Sequence, residues 1–194
     1  MVTKLNSKQL RAVAPDLVSD AKQSLKRQPL VFILENIYDT YNIGGLFRLA
    51  DGLAVNKIYL CGDTATPPNN RIHKASCGTY KIVPWEYCPL ATDAIAKFRL
   101  ESQTWIKSLP HPKPNTLKPQ VFAIEQSPTS LPYTDILPSF PLALVVGNES
   151  FGVSPNCLLA CDATAEIPMW GINKSLNVIV SAAIVAYSYV AELK

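Results

Sequence analysis

The strongest constraint on this chain is a set of short, largely apolar runs spaced by helix-length segments: Leu30–Leu34 (LVFIL), continuous in its apolar residues, Lys57–Cys61 (KIYLC), Val121–Glu125 (VFAIE) and Leu142–Val146 (LALVV). A strand with one face in water alternates apolar and polar residues, whereas a continuous apolar run demands cover on both faces. Between these runs the pattern turns helical at Asn42–Ala54 and Leu90–Lys107, and again after Thr164–Ile167 in Ser175–Leu193. The expectation is an α/β fold: a mainly parallel sheet with helices on both faces, and with its ligands at the carboxyl ends of the strands. Tyr80–Pro84 reads as a further short strand and Gly62–Asn70 as a turn-rich loop.

The 194 residues suffice for one domain, and 48% hydrophobic against 17% charged residues is ample for a packed core. Residues 1–29 read as a basic helical extension, with Pro15 in the first turn of a second helix, and residues 30–194 as the main domain. Leu109–Gln120 (LPHPKPNTLKPQ) is too rich in proline for a regular element. No apolar run reaches the ~20 residues of a membrane span, and the first 30 residues lack the apolar stretch of a signal peptide. A soluble, cytoplasmic protein is expected. Five scattered cysteines fit reduced core thiols; Cys157 and Cys161 share a helical face but have no second ligand pair for zinc. With His73 and His111 as the only histidines, few hydrolytic triads are available. Charge is uneven: residues 1–119 carry 16 Lys and Arg against 9 Asp and Glu, and residues 120–194 carry 2 against 6. A polyanion suits the first part and a cationic ligand the second, although an uneven surface alone gives the same count.

Three clusters fall at strand ends. In Glu35–Arg48 (ENIYDTYNIGGLFR), Asn42 is a candidate helix cap, and Arg48 on a largely apolar helix fits either an ion pair or an anionic ligand. Val146–Pro155 (VGNESFGVSP) has the glycine spacing of a phosphate loop, but Val153 stands where its lysine belongs. A tight turn and a close ligand contact beside Glu149 both remain open. Ile167–Val178 (IPMWGINKSLNV) enters the last helix, with Ser175 as a candidate cap and Trp170 suited to an aromatic or nucleoside ligand.

In this order and spacing the clusters resemble the SpoU/TrmH-type branch of the SPOUT-class RNA methyltransferases. The motifs are Asn42, Gly44 and Arg48; Gly147, Asn148, Glu149 and Gly152; and Ile167, Pro168, Met169, Gly171, Ser175, Leu176, Asn177 and Val178. The resemblance runs from about Leu30 to Tyr187. Departures are Thr40 and Tyr41 where proline is frequent, Ser150 for a common glycine, and Ile179 for a small polar residue. The resemblance implies a carboxy-terminal trefoil knot, a homodimer, and transfer of a methyl group from S-adenosyl-L-methionine to a ribose 2′-OH of tRNA or rRNA without metal. It assigns the cofactor to Ile124, Gly147, Ile167, Ser175 and Leu176, and the catalytic cluster to Arg48, Asn42, Glu149, Ser175 and Asn177. Because an arginine is a poor proton acceptor, Arg48 is expected to orient the hydroxyl, contact the adjacent phosphate and stabilise the developing alkoxide. Arg11, Lys22, Lys26, Arg27, Arg71 and Lys74 are candidate RNA-phosphate contacts. The alternative function is an RNA-binding knotted scaffold with little transferase activity.

Overall fold

The computed structural model describes residues 4–12, 25–107 and 118–193. Seven strands form one sheet, all pairings parallel: β1 (Gln28–Glu35), β2 (Val55–Cys61), β3 (Trp85–Cys88), β4 (Gln120–Ile124), β5 (Leu131–Pro132), β6 (Leu142–Val146) and β7 (Ala163–Glu166). Their order across the sheet is β3-β2-β1-β6-β4-β7-β5. The apolar runs are explained by alternation between two cores. Leu30, Phe32 and Leu34 of β1, with Leu142, Leu144 and Val146 of β6, face one layer. Val31, Ile33, Ala143 and Val145 face the other.

The first layer is covered by two helices, α2 (Thr40–Gly52), following α1 (Ser7–Ala12), and α6 (Val178–Ala191). They contribute Leu46, Phe47, Val185 and Tyr189, and the Tyr189 ring meets Phe122 edge-on at 5.9 Å. The second layer is covered by α4 (Ala91–Lys107) through Ala94, Ile95 and Phe98, with Cys157 from α5 (Pro155–Ala160). All five cysteines are free, and Cys61, Cys88 and Cys157 are buried in this second core. Burial, with Cys88, Glu35 and Asp93 nearby, pushes the Cys61 thiol above its usual range, so it is an inert packing group. Among the described residues no cluster suited to a metal occurs, and no helix is long and apolar enough to cross a membrane.

Several expectations need correction. Tyr80–Pro84 is not a strand: Lys81, Ile82 and Val83 donate to the carbonyls of Gly78 and Thr79, forming a 3-10 turn at Thr79–Lys81. Pairing with β2 begins only at the Pro84 carbonyl, where it accepts from Ile58, and the strand follows at Trp85. Within the turn-rich stretch a further helix, α3 (Asn70–Ala75), starts at its last residue, capped by Asn69, whose side chain accepts from Arg71 and Ile72. Asp39, not Asn42, caps α2, and Asn177, not Ser175, caps α6. Ser175 is instead held in a turn by Asn173, which accepts from its N–H and donates to its carbonyl. Of the amino-terminal extension, α1 is described and residues 13–24 lie outside the described residues, as do residues 108–117 of the proline-rich stretch.

Two close approaches set how α2 is seated. A Cβ on Gly44 would stand 2.4 Å from the Ala75 Cβ and 2.8 Å from the Ser76 backbone nitrogen, so α3 and the turn after it press directly on α2. A Cβ on Gly45 would meet the tip of Ile179 on α6. At 100° per residue, Arg48 falls between these two contact lines, on the exposed seam of α2 between α3 and α6.

Candidate functional site

The strand order reverses at β1 and β6, and the exits of β4, β6 and β7 there open onto a cleft of about 640 Å³. Its apolar wall comes from Ile124, Val146, Ile167, Met169 and Leu176; Gly147, Glu125, Glu149, Ser175 and Asn177 supply backbone and polar groups. Ile124, Gly147, Ile167, Ser175 and Leu176, singled out from sequence, thus all line this cleft.

The turn after β6 is closed tightly. Asn148 and Gly152 exchange backbone hydrogen bonds of 3.0 and 2.8 Å, and the Asn148 side-chain oxygen accepts from Ser150 and Phe151. Its amide donates to the Asn36 carbonyl at 2.7 Å, fastening the turn to the end of β1. Gly152 adopts φ +69°, and a Cβ there would lie 2.1 Å from a Glu125 carboxylate oxygen. The turn therefore requires glycine at this position. Glu125 accepts from Val153 at 3.0 Å and from Gln126 at 2.8 Å, and Gln126 donates to the Lys174 carbonyl. The loops after β4, β6 and β7 are thereby joined around the cleft.

Beside the cleft, three residues far apart in sequence form a chain of hydrogen bonds. Asn177 Nδ2 donates to Asn42 Oδ1 at 3.0 Å, and Asn42 Nδ2 donates to Glu149 Oε1 at 2.9 Å. Asn177 is oriented by its cap to Ile179 N at 2.9 Å, and Glu149 also accepts from the Tyr38 and Asp39 N–H groups at 3.2 Å. Partial burial works to raise the Glu149 pKa, but the hydrogen bonds from Asn42 and from its own, Tyr38 and Asp39 backbone groups prevail and hold it below the ordinary carboxylate value. Glu149 is accordingly an ionised acceptor that fixes Asn42, not a group poised to take a proton at neutral pH.

Arg48 and Ser175 do not join this chain. Arg48 is exposed on α2 and makes no ion pair among the described residues. Of the candidate phosphate contacts, Arg11, Lys26, Arg71 and Lys74 are exposed, and Lys22 lies outside the described residues. Arg27 departs from expectation. Its half-buried guanidinium donates to the carbonyls of Val55 and Ile82, so it ties the chain entering β1 to the start of β2 and to the turn before β3. Residues not singled out include Glu125, Gln126 and Asn173, whose role is to shape loops. A buried Glu35 that accepts from Ser154 N and Oγ at 2.8 and 2.6 Å was also missed, although an acid closing an apolar strand was a signal.

Residues 29–187 match the SpoU rRNA Methylase family. Among curated relatives, the 23S rRNA (guanosine-2'-O-)-methyltransferase RlmB of Neisseria meningitidis is 29% identical over 168 residues, covering 87% of this chain and 60% of that protein. The tRNA (guanosine(18)-2'-O)-methyltransferase of Thermus thermophilus is 26% identical over 84% of this chain and 75% of its own length. The chain thus spans about three-fifths of the first of these relatives. Among solved structures, the SpoU methyltransferase AviRb from Streptomyces viridochromogenes in complex with the cofactor AdoMet superposes with a TM-score of 0.72 at 22% identity, over 88% of this chain and 62% of that one, which shows a shared fold. A TrmH/SpoU tRNA modifying enzyme from A. aeolicus gives 0.67 at 25% identity, over 92% of this chain and 84% of that one.

Proposed function

The chain belongs to the SpoU rRNA methylase family, and from that premise we propose that it is an S-adenosylmethionine-dependent methyltransferase acting on a ribose 2′-OH of tRNA or rRNA. The observation that carries this reading is the convergence of Asn42, Glu149 and Asn177, one from each sequence motif, into a single hydrogen-bonded chain at the edge of the cleft.

The cleft suits the cofactor by its chemistry. Ile124, Ile167, Met169 and Leu176 offer apolar walls for a purine, and Glu125 and Glu149 provide negative charge near a sulfonium. When bound, S-adenosylmethionine supplies an electrophilic methyl group. Asn42 has its amide oriented by a donor on one side and a carboxylate on the other, so α2 is registered against the cleft. Arg48, about 1.7 turns further along that helix, presents its N–H groups to an incoming ribose and phosphate. It orients the hydroxyl and stabilises the alkoxide that develops there.

Further parts of the reading rest on the same geometry. A homodimer is supported by α6, an uncharged apolar helix with Val180 and Tyr187 exposed; a helix apolar on all sides calls for cover. A carboxy-terminal trefoil knot is the topology that membership of this family implies. Arg11, Lys26, Arg71 and Lys74 offer cations to RNA phosphates, and free cysteines suit the cytoplasm. The test is calorimetric titration of the purified protein with S-adenosylmethionine and S-adenosylhomocysteine. Saturable binding at about one site per chain is expected; well-folded protein that binds neither, with or without RNA, would favour an RNA-binding scaffold.

A further inference from the structure

Of the six aromatic side chains exposed among the described residues, Tyr87 on β3 and Tyr187 on α6 stand apart and the other four gather at one edge. Tyr38 and Tyr41 stand at the β1–α2 junction, Phe151 in the turn after β6 and Trp170 in the segment after β7, all at the carboxyl edge of the sheet where the cleft opens. Phe151 is 85% and Trp170 93% accessible. Phe151 lines the cleft, and Trp170 lies between Met169 and Asn173, which also line it. Rings this exposed gain nothing from the core, and several of them around one polar cleft form a surface on which planar groups can stack.

We infer that this aromatic rim, with Trp170 as its principal platform, stacks unpaired bases next to the target nucleotide. The inference rests on the reading of the chain as an RNA methyltransferase and adds how that site recognises its substrate. In a duplex the base faces are buried in their own stack; only a splayed loop can offer them to an aromatic ring. The electrostatics agree. Glu149 and Glu125 direct their carboxylates to backbone and amide N–H groups, and Asp39 is engaged in capping α2. Lys174, exposed four residues after Trp170, and Arg48 supply the charge for phosphates. The polar residues interleaved with the rim, Asn173 and Lys174 among them, suit a wet nucleic-acid contact better than a dry one between subunits. A second copy of the chain has a separate apolar landing on α6.

The test uses the full-length protein and two fluorescein-labelled RNAs, a hairpin with a short unpaired loop and a fully paired duplex of the same stem. Anisotropy should give tighter binding of the hairpin. Trp170→Ala should weaken hairpin binding by roughly tenfold to a hundredfold, the range expected for losing one stacked base, while Trp170→Phe stays within about threefold because it keeps a stacking face. S-adenosylhomocysteine binding should be unchanged in both variants. Equal affinity of Trp170→Ala and wild type for the hairpin, or equal affinity of wild type for hairpin and duplex, would overturn the inference. So would loss of self-association in Trp170→Ala by light scattering with RNA binding intact, which would make the ring a subunit contact. Trp170-dependent hairpin binding by a wild-type protein that takes up no cofactor would support the inference while refuting the transferase reading.

Discussion

Adjacent glycines on α2 should respond unequally to the same substitution, because what a new methyl group meets differs. In Gly44→Ala the Cβ would lie 2.4 Å from the Ala75 Cβ and 2.8 Å from the Ser76 nitrogen. Neither neighbour can rotate away, so α3 and its turn must recede by about 1 Å to reach ordinary contact. Overpacking of this kind costs about 1–3 kcal/mol, here towards the upper end because backbone is struck. Replacing glycine within a helix returns about 1 kcal/mol. The net expectation is a loss of roughly 2 kcal/mol. In Gly45→Ala the obstacle is the Ile179 Cδ1, the far end of a flexible side chain, so a change of rotamer at about 0.5–1.5 kcal/mol suffices and is cancelled by the helix gain. Urea denaturation of both variants alongside wild type measures the difference. Equal destabilisation of the two, or a stabilised Gly44→Ala, would refute the packing argument. Any share of that ~1 Å shift taken up by α2 moves Arg48 and should cut methyl transfer, by as much as about a hundredfold, in Gly44→Ala alone.

Three further predictions follow from the site and its surroundings. Asn42→Asp keeps the shape but sets a second carboxylate against Glu149 and deletes a charge-assisted hydrogen bond, costing about 2–4 kcal/mol at neutral pH. The lowered pKa of wild-type Glu149 gives stability that is present above its unfolded value of about 4.3 and is lost as pH falls through the folded value, whereas the variant's paired carboxylates carry a penalty that protonation relieves. Thermal melts should therefore show the gap between the two proteins narrowing from pH 7 towards about pH 4; a widening gap would contradict the pairing. Asp39→Ala removes the α2 cap, whose carboxylate accepts from Tyr41 N at 2.8 Å, and should cost about 1 kcal/mol in urea, with no measurable loss counting against the cap. Tyr187→Asp, at an exposed position of α6, should convert a dimer to a monomer in sedimentation; a wild-type protein already at single-chain mass would contradict the proposed interface.

Much of the fold was legible because burial on both faces leaves an unmistakable mark. Leu30–Leu34 and Leu142–Val146 had to be covered strands, and they pair with one another in register. What the sequence concealed was local competition for backbone groups. Tyr80–Pro84 has strand-forming residues, yet the turn at Gly78, with φ +91°, and the absent N–H of Pro84 favour bonds within the segment until Trp85. The caps show the same limit. Asp39, Asn42, Ser175 and Asn177 all have capping chemistry, and tertiary partners decide among them: Asn42 is taken by Glu149 and Asn177, leaving Asp39 for α2. In the site, spacing pointed to Asn42, Glu149 and Asn177, but nothing along the chain foretold that Asn42 would bridge the other two. Nor did composition reveal that Arg27, one of six candidate cations, would be engaged by the carbonyls of Val55 and Ile82.

The central claim is tested most directly by incubating wild-type protein and Arg48→Ala with methyl-labelled S-adenosylmethionine and unmodified total tRNA and rRNA, then digesting the RNA to nucleosides. The account predicts label in 2′-O-methyl nucleosides with wild type, and none with an Arg48→Ala protein that still folds and binds cofactor. Label carried on a base, or near-normal ribose methylation by Arg48→Ala, would contradict it.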